Sequence, residues 1–171
     1  MIESKEVLSL QDVQSALEEW IYQLNVLKNA SRLELNAYKE GFEPLSEKEL
    51  EELDELDEDT FYKRQMEHQP KASIIFATEF KEKIKWKPAS PNQPAKKIEV
   101  FFNFPNDIDR QTYKEITKLG WVINGQNFHL KFKQDDIFAD ESSVSKIPYK
   151  TLETFHQYKW NLKLVNEYNF D

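Results

Sequence analysis

The chain of 171 residues has no cysteine and only three glycines, and each shortage excludes a class of chemistry. Without cysteine there is no disulfide scaffold, no thiolate zinc or iron–sulfur site and no cysteine nucleophile. Gly41, Gly120 and Gly125 stand apart from one another, so the glycine clusters of phosphate-binding and dinucleotide-binding loops are missing. The sequence therefore predicts no nucleotide-binding fold, no metal and no cofactor.

Long apolar runs are missing as well. The longest purely apolar run covers residues 74–77, which is far too short to span a bilayer. The first residues include Glu3 and Glu6, where a secretory signal carries positive charge. These features predict a soluble, cytoplasmic protein that does not bind a membrane.

Charge is abundant, and it is unevenly distributed. Residues 1–60 hold 17 acids and 5 bases, a net charge of −12, whereas residues 61–171 hold 14 acids and 18 bases, a net charge of +4. Aromatic residues make up 13% of the chain, so a few large rings are expected to fill the core. We predict two parts: an acidic helical hairpin over residues 1–69 and an α+β domain over residues 70–171.

Helical periodicity dominates the acidic part. Apolar side chains three or four positions apart predict a helix from about Leu10 to about Tyr38, ended by Gly41. The stripe comprises Val13, Leu17, Trp20, Ile21, Leu24, Leu27 and Ala30. Ser46 and Glu49 have the spacing of a capping box, and Leu50, Leu53 and Phe61 continue a second helix. Together these predict an antiparallel helical hairpin.

From about Lys71 onward the apolar residues alternate with polar ones, which is typical of strands. The first predicted strand carries Ile74, Phe76, Thr78, Phe80, Ile84 and Trp86 on one face, and the second carries Ile98, Val100, Phe102 and Phe104. A short helix over about 108–119 follows, and Asn124-Gly125 predicts a two-residue β-hairpin.

The C-terminal part is predicted as a helix with Pro148 in its first turn and an apolar stripe of Leu152, Phe155, Tyr158, Leu162 and Val165. Alternation of Trp160, Leu162 and Leu164 would also suit a strand. The predicted fold is α+β: an N-terminal antiparallel helical hairpin, then a ββαββα unit with a mostly antiparallel four-stranded sheet.

The densest feature is residues 47–59, where nine of thirteen positions are acidic. One interpretation is a solvated helix face with acids near the positive helix N-terminus. The other is a surface for a basic protein, or for the groove of a nucleic-acid-binding protein, in which carboxylates replace phosphates. The predicted partner-binding residues are Glu51, Glu52, Asp54, Glu55, Asp57, Glu58 and Asp59.

A basic stretch follows, with lysines at alternate positions. It comprises Lys81, Lys83, Lys85, Lys87, Lys96 and Lys97. Together with Trp86 and Phe101 it offers the charge and stacking surface that single-stranded nucleic acid prefers. The competing interpretation is a strand edge protected by lysine against aggregation.

Two patterns suggest enzymes. The spacing of His129, Lys131 and Asp136 resembles the H-x-K-x4-D motif of the phospholipase D superfamily, which implies a phosphodiesterase with a histidine nucleophile. This chain lacks the glycine that follows the motif in that family. Asp57 or Asp59 with Glu79 and Lys81 would supply the acids and lysine of a metal-dependent nuclease.

The leading hypothesis is a non-enzymatic regulator, adaptor or inhibitor, of the kind that bacteria and their mobile elements encode. It would bind a macromolecular partner through the acidic residues. Nucleic-acid binding by the lysines is the first alternative, and a phosphodiesterase or nuclease is the second. The opposed charges would also allow two copies of the chain to pair as a homodimer.

Overall fold

The computed structural model describes residues 5–26, 31–78, 97–104, 108–124, 127–133, 136–137 and 143–166. The helices in these ranges are α1 (Leu10–Asn25), α2 (Glu47–Leu53), α3 (Glu58–Glu67), α4 (Arg110–Lys118) and α5 (Ser143–Thr154). The strands are β1 (Lys5–Glu6), β2 (Ser31–Tyr38), β3 (Ala72–Thr78), β4 (Lys97–Asn103), β5 (Val122–Asn124), β6 (Asn127–Lys133) and β7 (Lys159–Asn166).

The seven strands form one antiparallel sheet in the order β1-β7-β2-β3-β4-β6-β5. Its register aligns apolar side chains in rows across the strands, such as Leu35, Ile74, Phe102 and Phe128. Because side chains alternate between the two faces of a strand, these rows share one face, the closed face. The side chains between them lie on the other, open face.

Helices α1 and α4 pack on the closed face. Trp20 of α1 lies 6.3 Å from Phe76, and Tyr113 of α4 lies 5.4 Å from Phe128, measured between ring centroids. The core is rich in rings: Phe102 contacts Phe104, Trp121, Phe128 and Phe155. One-sided burial of this sheet therefore supplies the main apolar core.

Several local predictions are confirmed. Ser9 and Ser46 form capping boxes at the starts of α1 and α2, the second as predicted. Gly120 follows α4 with a φ of +114°, a conformation that favours glycine. The β5–β6 hairpin forms, but its innermost pair is Asn124 with Asn127, so the two residues between the strands are 125 and 126 and not the predicted Asn124-Gly125.

The predicted N-terminal helical hairpin is wrong. The first helix ends at Asn25, and residues 31–38 form β2 between β3 and β7. Leu33, Leu35 and Ala37 are two residues apart, so a helix would turn them to different sides, whereas a strand buries all three. Leu27 and Ala30 lie outside the described residues.

The second predicted helix is two helices. Asp54 caps the end of α2 and Asp57 the start of α3, so the helical stripe is broken between them. Aspartate is favoured at a helix start, as at Asp57, and closely spaced like charges disfavour one continuous helix.

The predicted four-stranded sheet is also wrong, because β1, β2 and β7 join it. Helix α5 begins at Ser143, and Pro148 lies inside it instead of in its first turn. Burial of Val144 stabilises the added turn and offsets the hydrogen bond that Pro148 cannot donate. For the residues after α5 the alternative prediction, a strand, is confirmed, since β7 pairs with β2 along its whole length.

The predicted first strand is confirmed only over Ala72–Thr78, since Phe80, Ile84 and Trp86 lie outside the described residues. The division of the chain at residue 69 stays a prediction, although the sheet draws strands from both sides of it.

Replacement of Phe102 by alanine should lower the free energy of unfolding by about 3–5 kcal/mol, because it empties a fully buried ring site. Urea unfolding followed by tryptophan fluorescence measures the change. Leu8→Ala, at a side chain that is 74% exposed, is the control and should change stability by less than about 0.5 kcal/mol. A loss below about 1 kcal/mol in Phe102→Ala would contradict this core.

Asp12→Asn should destabilise the fold near neutral pH by about 1 kcal/mol, a typical capping contribution. The Asp12 carboxylate accepts hydrogen bonds from the amides of Leu8 (2.8 Å) and Ser9 (3.1 Å). These bonds, first that from Leu8, and the Lys5 ammonium hold the pKa of Asp12 below its usual 3.8.

Because the folded pKa is the lower one, Asp12 stabilises the fold above pH 3.8, and this contribution is lost as the pH falls through the folded pKa. Denaturant unfolding at a series of pH values should show the two proteins converging below pH 3.8. A difference that is unchanged down to the most acidic pH would contradict the assignment.

Candidate interaction surfaces

The acidic segment, residues 47–67, comprises α2 and α3 and lies in the connection between β2 and β3. All seven predicted partner-binding residues, Glu51, Glu52, Asp54, Glu55, Asp57, Glu58 and Asp59, are exposed. Among the described residues, no lysine, arginine or histidine lies within 4.0 Å of any of these seven carboxylates. Contacts with the described residues therefore do not neutralise their charge.

Contacts at its base join the two ends of this connection. His68, just after α3, has its Nδ1 2.7 Å from the carbonyl oxygen of Glu43, and its ring meets that of Phe42 edge-on. Lys159 of β7 donates to the Glu43 carboxylate at 3.3 Å. A hydrogen bond from its own backbone N–H, followed by that from Lys159, lowers the pKa of Glu43. The acidic segment is thus anchored to the sheet beside its base.

Apolar side chains are exposed within the acidic segment. Leu50, Tyr62 and Met66 are 51%, 58% and 60% exposed. Helix α3 buries no residue, and Leu53 is the one buried residue of α2. Tyr62 and Met66 are four residues apart, so they are neighbours on one side of α3, and Glu58 precedes them on the same side. The surface combines negative charge with large apolar groups.

Most of the predicted nucleic-acid surface cannot be compared with the structure. Lys81, Lys83, Lys85, Lys87 and Lys96 lie outside the described residues. Lys97 begins β4, but its side chain is not among the described ones. The lysine surface stays a sequence prediction.

On the open face, His129 and Lys131 lie on β6 beside Glu99 and Phe101 of β4. The Glu99 Oε1 atom is 3.7 Å from Lys131 Nζ and 4.0 Å from His129 Nε2. The rings of Phe101 and His129 stack at 4.9 Å. Spacing alone predicts that His129 and Lys131 share a face, but the two β4 residues could be found only from the strand register.

Asp136 does not complete the phospholipase D pattern. Its carboxylate accepts a hydrogen bond from the backbone N–H of Lys133 at 2.9 Å, at the end of β6. Lys133 is four residues beyond His129 on an extended strand, about 13 Å away. Glu99, whose Oε1 atom is 3.7 Å from Lys131 Nζ, would repel a phosphate at that lysine. The structure does not bring the three motif residues together.

The residues of the nuclease alternative are only partly described, so this alternative stays a prediction. Asp57 and Asp59 are exposed on the acidic segment, and Glu79 and Lys81 lie outside the described residues. Within the described ranges, no three histidine, aspartate or glutamate side chains are grouped so as to hold a metal ion.

Other polar or aromatic residues have structural roles. Trp20, Trp121 and Trp160 are buried, and Trp121 donates to the Thr151 hydroxyl at 2.8 Å. A cavity of about 180 Å³ beside His156, Tyr149 and Trp160 is smaller than the ~300 Å³ at which ligand pockets begin. It gives no support for a substrate pocket.

His129→Phe should leave the free energy of unfolding unchanged or raise it, because Nε2 of His129 is buried and has no hydrogen-bond partner. Phenylalanine keeps a ring stacked on Phe101. Thermal and urea unfolding measure the effect, with Lys131→Met as a control for the loss of the Glu99 contact. Destabilisation by more than about 1 kcal/mol would show that the imidazole nitrogens make bonds that stabilise the fold.

Comparisons with protein-family models, curated proteins and solved structures found no match. Among the described helices, none combines the length and apolar character needed to cross a bilayer. Function is therefore inferred from the charge, exposure and geometry of this chain's own surfaces.

Proposed function

We propose that this protein is a non-enzymatic regulator, adaptor or inhibitor that binds a basic protein partner through the acidic segment. The observation that carries the proposal is one acidic segment with seven exposed carboxylates, none paired with a described base, and the exposed side chains of Tyr62 and Met66. The cytoplasmic location expected from the sequence is retained as part of the proposal.

The negative charge of the acidic segment determines what kind of partner surface it can bind. Residues 47–67 contain ten acids and three bases, a net charge of −7 in a chain whose total is −8. Such a field accelerates encounter with a lysine- or arginine-rich surface and repels acidic partners. Because the carboxylates are solvated, their main contribution is to association rate and specificity. A basic protein surface, including the phosphate-binding groove of a nucleic-acid-binding protein, fits this field.

Apolar contacts would supply the remaining affinity. Tyrosine and methionine are enriched at protein interfaces, where a partner that covers them removes large apolar areas from water. Tyr62 is held in an edge-to-face contact with Phe61 at 5.8 Å. A central pair of apolar anchors with charged residues around it is the usual anatomy of such an interface.

The weak packing of α3 supports the same conclusion. A helix of ten residues is marginally stable in water unless it buries one face, and α3 buries no residue within its own chain. Contact with a partner would provide that burial. We expect α3 to gain hydrogen-exchange protection on binding.

The test compares two variants that each lose four acids. The site variant carries Glu51→Gln, Glu52→Gln, Asp54→Asn and Glu55→Gln, and the control carries Glu18→Gln, Glu19→Gln, Glu115→Gln and Glu153→Gln. All eight side chains are exposed. Immobilised chains are incubated with native lysate of the source cell, and captured proteins are quantified by mass spectrometry. Capture of the specific partner should fall about tenfold or more in the site variant only.

Tyr62→Ala with Met66→Ala should also reduce capture, and this loss should persist at high salt, where the charge contribution is screened. Equal capture by the wild type and both site variants would overturn the proposal. Binding of a single-stranded oligonucleotide at low salt, unaffected by the site variants, would favour the lysine alternative instead.

A further inference from the structure

Strand β5 ends the sheet at the side opposite to β1, and no described strand pairs with its outer edge. This edge lies in the longest stretch of the chain without Asp, Glu, Lys or Arg, residues 119–130. Natural edge strands avoid pairing with another strand by being very short, as β5 is, by bulges or covering segments, or by carrying lysine or proline. The described edge residues Val122, Ile123 and Asn124 include neither.

The side chains at this edge are apolar on both faces. Val122 and Ile123 are 61% and 57% exposed, although one lies on the open face beside His129 and the other on the closed face beside Phe128. Ile123 continues the core row of Ile74, Phe102 and Phe128 to the edge of the sheet. The apolar row therefore ends at an uncovered side chain.

The register also shows which backbone groups face outward. Asn124 pairs with Asn127 across two intervening residues, so this innermost pair exchanges hydrogen bonds. In an antiparallel ladder, pairs that exchange hydrogen bonds alternate with pairs that do not. The pair of Ile123 with Phe128 is of the second kind, so the N–H and C=O groups of Ile123 point away from β6.

We propose that β5 pairs antiparallel with β5 of a second copy of this chain, about a two-fold axis at Ile123. Each Ile123 N–H would donate to the partner's Ile123 carbonyl oxygen, and the two Ile123 side chains would meet on the closed face. The apolar row then continues from one copy into the next. Such a contact is self-complementary, as a two-fold interface requires.

Electrostatics favours a second copy at this edge over other parts of the surface. Two copies that each carry a net charge of −8 repel one another, and the acidic segment dominates that repulsion. The acidic segment follows β2, and β3, β4 and β6 separate β2 from β5 in the sheet. With about 4.8 Å between strands, the uncharged edge lies about 14 Å from β3, into which the acidic segment leads, and about 19 Å from β2. The second copy would approach along residues 119–130, which carry no like charges.

Sedimentation velocity over a concentration series of the full chain tests the proposal. The wild type should show a reversible monomer–dimer equilibrium, because a short strand pair gives a small interface and weak affinity. Ile123→Pro removes the outward N–H without removing a β5–β6 hydrogen bond, so it should give a folded monomer. Ile123→Lys should do the same through charge repulsion. Leu8→Lys, at another exposed apolar residue, is the control and should still dimerise.

Thermal unfolding at low concentration should show that both Ile123 variants remain folded. A wild type that stays monomeric throughout the series would overturn the proposal and leave a strand of another protein as the occupant of this edge. A dimer that persists in both folded Ile123 variants would also overturn it. The acidic-segment variants should dimerise at least as well as the wild type, because they lose repelling charge and keep β5, so this result is independent of the proposed function.

Discussion

One-sided burial of the antiparallel sheet is the constraint on which the rest of the structure depends. Each central strand has apolar residues at every second position, and the register aligns them so that Leu35, Ile74, Phe102 and Phe128 form one row. A shift of one residue in any strand would expose its apolar set. Helices α1 and α4 pack on that face, and the acidic segment is left outside this core.

Sequence reasoning succeeded where structure is set by nearby residues. The Ser46 capping box, the β5–β6 hairpin and the glycine after α4 depend on a few adjacent positions. It failed for β2 and for the length of the final helix, because strand pairing is decided by residues far apart in the chain. Leu33 pairs with Phe76 and Leu164, and only these partners make its extended conformation favourable. The number of strands, seven instead of the predicted four, depends on the same non-local contacts.

The candidate surfaces also combine features that nearby residues determine with features that depend on residues far apart in the chain. Exposed acids could be predicted, since charge runs lie on surfaces, but the exposure of Tyr62 and Met66 could not, because helical spacing suits a buried stripe equally well. The placement of Glu99 beside Lys131 needs the β4–β6 register. The extended strand between His129 and Asp136 keeps these two residues apart. The motif spacing suggested that they meet, because spacing alone does not show that the intervening residues are extended.

The two proposed surfaces would act together if both are occupied. Pairing through β5 leaves both acidic segments exposed, one on each copy, because they follow β2 and not β5. A dimer would then present two equivalent acidic surfaces to a partner that is itself repeated or two-fold symmetric. Once the first contact has formed, the second would form at a high effective concentration. Two weak, salt-sensitive contacts would therefore give a much higher overall affinity than either contact alone. Weak dimerisation would in turn be strengthened by the partner, since each equilibrium promotes the other.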